Sequence, residues 1–364
     1  MPDVILEGSY LEGGGQILRN ALALSVLTGK SFIVSDIRKG RPEPGLKAQH
    51  LYCIKAAAQL CHADFTDVEL GSTTVAFFPK KLRAAKLDID IGTAGSISLF
   101  LQSVLVPSMF ANAPVKISIA GGTDVIWSMP ADYLKHVFLP HLQKYAKIDF
   151  KILRRGFYPK GGGKIEIEVR PKFRLSDFDD FGEFHDYLKQ QEEKIILGEQ
   201  GKILQVKGIS HASMELLNAR VSERQASVAE MTLKKLKCPI QIASEYSDSY
   251  SPGSAITLWA VFSKKEEMDA ENPIILGADA LGERGKSSET VGKEAADKLL
   301  KEIESGAPVD GHLADNLIPF LGLFGGKIKT SKITNHTLTN IYVTEKFLNV
   351  KFNVDKEKNL IEAT

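Results

Sequence analysis

Apolar and polar positions along this chain fall into alternating stretches of short and long period, and the succession repeats. Val4–Leu6 reads as a strand, Gln16–Leu27 as a helix and Ser31–Ile37 as a second strand. Lys47–Cys61 follows as a helix with apolar residues at 51, 54, 58 and 61, and strands near Phe65–Leu70 and Thr74–Phe78 close the unit. A second pass runs through a strand at Leu87–Ile91, an apolar helix over Ser96–Phe110 and a strand at Val115–Ala120. It continues with a helix over Pro130–Tyr145, bent at Pro140, and ends on strands at Lys147–Leu153 and Lys164–Val169. A third pass has a strand at 273–277, helices at 288–304 and 312–324, and strands at 339–343 and 347–353, with no clear signal for its middle strand.

This pattern predicts an α/β (α+β) protein. Three repeated βαβαββ units form a large domain, two of them in residues 1–176 and the third in 271–364. Between them, 177–270 reads as an inserted small α/β domain: a strand at Lys202–Ile209, a long helix over Glu215–Leu236, and strands at Pro239–Glu245 and Ala255–Phe262. The insertion opens on the acidic, aromatic run 176–194 (SDFDDFGEFHDYLKQQEEK), which has no firm period and is expected to be solvated surface or a mobile flap.

Composition narrows the function classes rather than choosing one. The chain has 364 residues, 43% of them hydrophobic, with 46 basic against 45 acidic side chains. Near-neutrality means that any polyanion must be met by a local basic patch. Cys53, Cys61 and Cys238 lack metal-ligand spacing, and the first two share an apolar helical stripe, so reduced buried thiols are expected. No secretory signal opens the sequence, and the longest apolar run, Leu99–Phe110, is too broken to span a bilayer. A cytoplasmic protein with no membrane partner is the expectation.

The candidate chemistry lies in glycine-rich turns. Glu12-Gly-Gly-Gly-Gln16 runs directly into the first helix, with Arg19 one turn inside it. Successive glycines bring backbone amides close to an anion, and the helix N-terminus adds partial positive charge. Arg38-Lys-Gly-Arg41-Pro-Glu-Pro-Gly45 is a rigid cationic loop suited to phosphate, although a solvated turn is an equal alternative. Gln49 and His50 open the next helix. Gly92-Thr-Ala-Gly-Ser96 precedes the most apolar helix, in which Gln102 is the lone amide and needs a partner. The GGTD turn at 121–124 and the basic run 154–163 (RRGFYPKGGG) complete the set. Together they argue for a polyphosphate or nucleotide ligand. Ala280–Ser287 resembles a phosphate-binding P-loop, but its first glycine is missing and a plain strand–turn–helix is the better reading.

Near the C-terminus, 331–343 (SKITNHTLTNIYV) sets His336 among small hydroxyl and amide residues, before an alternating run that reads as a strand. A neutral imidazole there is a competent nucleophile; a solvated loop histidine is the alternative for this segment taken alone.

In their order, EGGGQILR, the Arg38–Gly45 loop with LKAQH, GTAGS, GGTD, RRGFYPKGGG and GHLADN followed by TNHTLTN resemble the RNA 3′-terminal phosphate cyclases over nearly the whole chain. The resemblance implies three βαβαββ repeats with a smaller insertion before the last, and His336 as the nucleophile. It implies that His336 attacks the α-phosphorus of ATP and becomes adenylated, with pyrophosphate expelled. The RNA 3′-phosphate then takes the adenylate as RNA(3′)pp(5′)A, and the 2′-hydroxyl closes a 2′,3′-cyclic phosphate and releases AMP. A divalent cation, Mg²⁺ or Mn²⁺, would offset the triphosphate charge. The same resemblance places Glu12, Arg19, Arg38, Arg41, Gln49 and Gln102 near the nucleotide or the RNA end, with Glu12 holding metal or orienting His336. It sets Pro130 against the adenine, and His312, Asp315 and Asn316 beside the nucleotide.

Two departures stand out. This chain has His312-Leu-Ala-Asp315-Asn316 where the bacterial pattern has Tyr-Leu-Ala-Asp-Gln. Asn reaches about 1.5 Å less far than Gln. The acidic 176–194 run is also longer than the family leads one to expect. Two alternatives are a non-catalytic cyclase-like RNA-binding protein of ribosome assembly, against which His336 counts, and an enolpyruvyl transferase built from similar units. The oligomeric state, a homo-oligomer included, is left open.

Overall fold

The computed structural model describes residues 1–191, 193–265 and 267–364. The first unit comprises β1 (Val4–Glu7), α1 (Gln16–Thr28), β2 (Phe32–Ser35), α2 (Ala48–Cys61), β3 (Asp64–Phe65) and β4 (Val75–Phe78). The second comprises β5 (Lys86–Asp90), α3 (Ile97–Leu101), α4 (Leu105–Ser108), β6 (Val115–Gly121), α5 (Ala131–Tyr133), β7 (Ala146–Arg154) and β8 (Gly163–Pro171). Then come α6 (Phe181–Gln190), β9 (Ile195–Leu197), β10 (Lys202–Ser213), α7 (Val221–Leu233), β11 (Ile240–Ser247), β12 (Ser254–Ser263), β13 (Ile274–Leu281) and α8 (Ser288–Glu304). The chain ends with α9 (Gly311–Phe324), β14 (Gly326–Lys329), α10 (Asn335–Phe347), β15 (Phe352–Asp355) and β16 (Leu360–Ala363).

The protein is of the mixed α/β class expected, with its strands in four four-stranded sheets. Three of these share one order: β1-β2-β4-β3, β5-β6-β8-β7 and β9-β14-β16-β15. In each, the first pair is parallel and the others antiparallel. β14 is therefore the strand that the sequence did not reveal, and β9 pairs with it from the far side of the intervening segment. The fourth sheet, β11-β10-β12-β13, carries α7 and α8. Elements within 177–270 thus part company: α6 and β9, neither of them expected, pack on α9 and join β14, whereas β13 and α8, expected in the third repeat, go with β10–β12.

Several expected elements take a different form. The helix over Ser96–Phe110 is two short helices, because the Pro107 ring excludes a continuous turn against the carbonyl four residues back. Pro140 likewise breaks the helix expected over Pro130–Tyr145, which widens to a π-turn at Leu134–Phe138 and tightens to 3₁₀ at Leu139–Leu142. The strand expected at 339–343 is instead part of α10, the one expected at 347–353 is found later as β15, and β16 follows it. In α10, Thr337, Asn340, Ile341, Thr344 and Phe347 are buried at helical spacing, a stripe that its polar members hide from a hydropathy reading. No helix among the described residues is long and apolar enough to cross a membrane.

The acidic run is folded. Asp180 caps α6 by accepting from the Glu183 N–H, and Phe184, His185 and Leu188 are buried. Phe184 meets Phe110 edge-on at 5.6 Å, and the His185 ring bonds the Gly322 carbonyl of α9 at 3.0 Å. Position 192 of this run lies outside the described residues. Phe184→Ala should therefore destabilise the protein by about 3–5 kcal/mol, as for a buried aromatic. Thermal unfolding followed by circular dichroism checks this, and a solvated segment would show no change.

Candidate functional site

Helix α1 begins at an uncapped turn. Gly15 precedes it without any side-chain cap, so the first N–H groups of a 13-residue helix are open to a ligand. Gly13 sits at φ +54°, and a Cβ on Gly15 would lie 2.1 Å from His50 Nε2 and 2.9 Å from Arg19 Nη1. Only glycine lets both rest against the turn. Arg19 is buried, and among the described residues no carboxylate pairs with it. Burial lowers its pKa to about 10. A buried cation without a counter-ion is expensive, and an anion at the turn would relieve that cost. Its Nε donates to Gln102 Oε1 at 2.9 Å, and Gln102 Nε2 donates to Asn316 Oδ1 at 2.9 Å.

His336 meets this turn from the opposite side as the second residue of α10, not at the mouth of a strand. Thr334 caps the helix: its hydroxyl accepts from the Thr337 N–H at 3.0 Å, and the Thr337 hydroxyl accepts from the Thr334 N–H at 3.1 Å. Gln16 Nε2 donates to the His336 carbonyl at 2.9 Å and also to Asn340 Oδ1, which leaves Gln16 Oε1 to accept from His336 Nδ1. With Gln16 Oε1 as the acceptor, Nδ1 carries a proton, so in the neutral ring the lone pair lies on Nε2. Nε2 faces Glu12 Oε2 at 3.2 Å, and Arg41 Nη2 stands 3.6 Å from the same oxygen. Imidazole and carboxylate are both partly open to solvent.

Asp315 holds the base of this arrangement. It is buried on α9 and accepts from the hydroxyls of Thr334 (2.8 Å) and Thr337 (2.6 Å). Burial pushes its carboxyl pKa up, against the pull of those donors and of His336. Its backbone carbonyl accepts from Asn340, whose side-chain oxygen also takes Asn20. Between these groups and the second unit lies a small cavity of about 20 Å³, lined by Asn20, Gln102, Met129, Asp315, Asn316 and Asn340.

The remaining expected residues are placed as follows. Pro130, buried, adjoins Met129 in the cavity wall. Asn316 Nδ2 donates to the His312 carbonyl at 2.7 Å and lies 3.5 Å from Met129 Sδ, so this shorter amide stays within its own helix and the cavity wall. The His312 ring is exposed and edge-on to Tyr133. Gln49 Oε1 accepts from the Ser96 N–H at 3.0 Å, tying α2 to the GTAGS loop. Arg38 is turned inward: Nη1 donates to the carbonyls of Glu43 (2.7 Å) and Gly45 (3.0 Å) and closes its own loop. Lys286 of the P-loop-like turn pairs with Glu294, an ordinary strand–turn–helix contact. The cysteines are free thiols, and burial lifts Cys53 and Cys61 to about 11.

Sequence reasoning missed Gln16, Asn20 and Asn340 as site residues. The available signal was a pair of amides four residues apart on an otherwise apolar helix. It also missed a buried ionic group: the Arg155 guanidinium on Asp132, with His211 Nε2 3.2 Å from Asp124. Burial opposes ionisation of Asp124, but His211 and Arg155 overcome it and bring the pKa to about 2. Asp124, Asp132 and His211 are close enough to hold a metal, but Arg155 already supplies the positive charge there.

His50 is buried against Arg19, with its Nδ1 accepting from the Lys47 N–H at 2.9 Å. Burial first, then Arg19, Arg38 and Lys47, lower its pKa to about 3. The unfolded chain therefore binds a proton that the folded one refuses. This contribution is complete above about pH 6.5 and is lost as pH falls toward 3. The free energy of unfolding should fall less steeply between pH 6.5 and 4 in His50→Gln than in the wild type, by up to about 1.4 kcal/mol per pH unit. Calorimetry across that range checks it.

Residues 10–354 match the family model described as RNA 3′-terminal phosphate cyclase. The chain is 45% identical over 355 residues to the RNA 3′-terminal phosphate cyclase of Pyrococcus abyssi, covering 97% of this chain and 96% of the relative. It is 44% identical to that of Pyrococcus furiosus (96% and 95% covered) and 43% identical to that of Methanosarcina barkeri (99% and 98% covered).

Proposed function

Because the chain belongs to the RNA 3′-terminal phosphate cyclase family, we propose that it uses ATP to convert an RNA 3′-terminal phosphate into a 2′,3′-cyclic phosphodiester through an adenylate on His336. Membership in this enzyme family sets aside the enolpyruvyl-transferase alternative. The observation that carries the reading is the Gln16 bridge: an imidazole held through Nδ1, with its Nε2 facing Glu12, beside a glycine turn that carries a buried arginine with no carboxylate partner among the described residues.

On this reading the open α1 N-terminus and Arg19 receive phosphate oxygens, and the adenosine lies toward Met129 and Pro130. His336 Nε2 displaces pyrophosphate from the α-phosphorus; Gln16 Oε1 accepts the Nδ1–H throughout and stabilises the charge that grows on the ring. Arg41 draws charge from the transferred group. The RNA 3′-phosphate then attacks the adenylate and frees His336. Closure by the adjacent 2′-hydroxyl is intramolecular, where effective molarities reach on the order of 10⁵ M or more. Glu12, half-exposed and bonded on one oxygen only, fits the role of single carboxylate ligand to Mg²⁺ or Mn²⁺ alongside phosphate oxygens. Such a cation would offset triphosphate charge.

With ATP radiolabelled at the α-phosphorus and a divalent cation, the denatured wild type should carry an acid-labile, alkali-stable label that His336→Ala lacks. Cyclisation of a 3′-phosphorylated oligomer by His336→Ala would assign the nucleophile elsewhere. Gln16→Ala should slow adenylation about 10²-fold, the scale of an ångström-sized misplacement, in single-turnover labelling. An unchanged rate would remove the tautomer argument.

A further inference from the structure

The loop between β6 and α5 carries a feature that neither the fold nor adenylation uses. Trp127 is 88% exposed and Ile126 58% exposed, and Trp127 holds φ at +66°. A bulky side chain in the left-handed region is strained, and an indole in water forfeits the burial that usually stabilises it. The loop is nevertheless firmly framed. The Thr123 carbonyl accepts from the Ala131 N–H at 2.9 Å, the Ser128 hydroxyl donates to the Val125 carbonyl at 2.9 Å, and the Ser98 hydroxyl donates to the Met129 carbonyl at 2.7 Å. The indole is thus presented by a fixed loop two residues from Met129, which lines the small cavity beside Asp315.

The surroundings indicate the class of ligand. The Gly156 carbonyl accepts from the Thr123 N–H at 2.9 Å, so the basic run Arg154–Lys160 leads off beside the same loop. Among the described residues neither Arg154 nor Lys160 pairs with a carboxylate, and Tyr158 is 76% exposed. Exposed aromatic faces beside unpaired cations suit a single nucleic-acid strand, whose bases stack while its phosphates meet the charge. We propose that Trp127 is a stacking platform for a base near the 3′ end of the RNA, holding the terminal phosphate toward His336. The assignment rests on the cyclase reading above and makes Trp127 a positioning residue for the RNA, not for ATP.

The two tryptophans make the test direct. Trp259 is buried and stacked on His136 at 4.4 Å, so a ligand that stacks on an indole must report through Trp127. A 3′-phosphorylated oligoribonucleotide should quench the intrinsic fluorescence of the full chain, ATP alone should not, and Trp127→Phe should abolish the signal. In steady-state cyclisation, Trp127→Ala should raise the KM for RNA about tenfold with kcat changed much less, and Trp127→Phe should restore most of the loss. A wild type that cyclises RNA without RNA-dependent quenching, quenching by ATP alone, or an unaltered RNA KM in Trp127→Ala overturns the stacking role. A wild type that takes no AMP onto His336 overturns instead the reading on which it rests.

Discussion

The site depends on one amide. Gln16 opens α1 at the glycine turn, and its side chain bonds both the ring and the backbone of His336 at the start of α10. The two residues are 320 positions apart in sequence, so this bridge joins the glycine turn to the imidazole. Asn20 and Asn340 extend it down the interface to the Asp315 carbonyl, and two threonine hydroxyls fix the Asp315 side chain. A buried polar network of this kind adds only about 1 kcal/mol net per bond, whereas one orphaned member costs about 1–3 kcal/mol. It specifies geometry more than it stabilises the fold.

Charge is handled differently at two places in the interior. Arg155 is buried with Asp132 and Asp124 beside it, and that ionic group, with His211 of β10, clamps the fourth sheet to the second unit. Arg19 is equally buried and has only Gln102 for its Nε. Within one protein the contrast is informative: the first guanidinium completes a structural contact, while the second has no carboxylate partner among the described residues.

The first two units were largely legible in the sequence, because their strands and helices carry apolar residues at the periods of two and 3.6 that those structures require. Reading failed where burial falls on polar side chains. Helix α10 buries Thr337, Asn340 and Thr344, so its stripe looked like a strand of β-favouring residues. Helix α6 buries only Phe184, His185 and Leu188 and carries acidic residues on its outer side. Proline rules were visible at Pro107 and Pro140, but only the structure shows that one splits a helix and the other reshapes it. The glycine turns and His336 stood out by composition; Gln16 did not, since one amide at a helix start has many ordinary uses.

The pairing of β9 with β14 has a consequence for how the molecule is made. Ile195 meets Gly326 across more than a hundred intervening residues that fold into a sheet of their own. The strand that completes the third sheet is thus synthesised early and waits, unpaired on one edge, until the final segment leaves the ribosome. Closing so large a loop is slow more than it is costly, since the entropy grows only logarithmically with length. The helix that carries His336 lies between the strands made last, so its bridge to Gln16 forms late in synthesis.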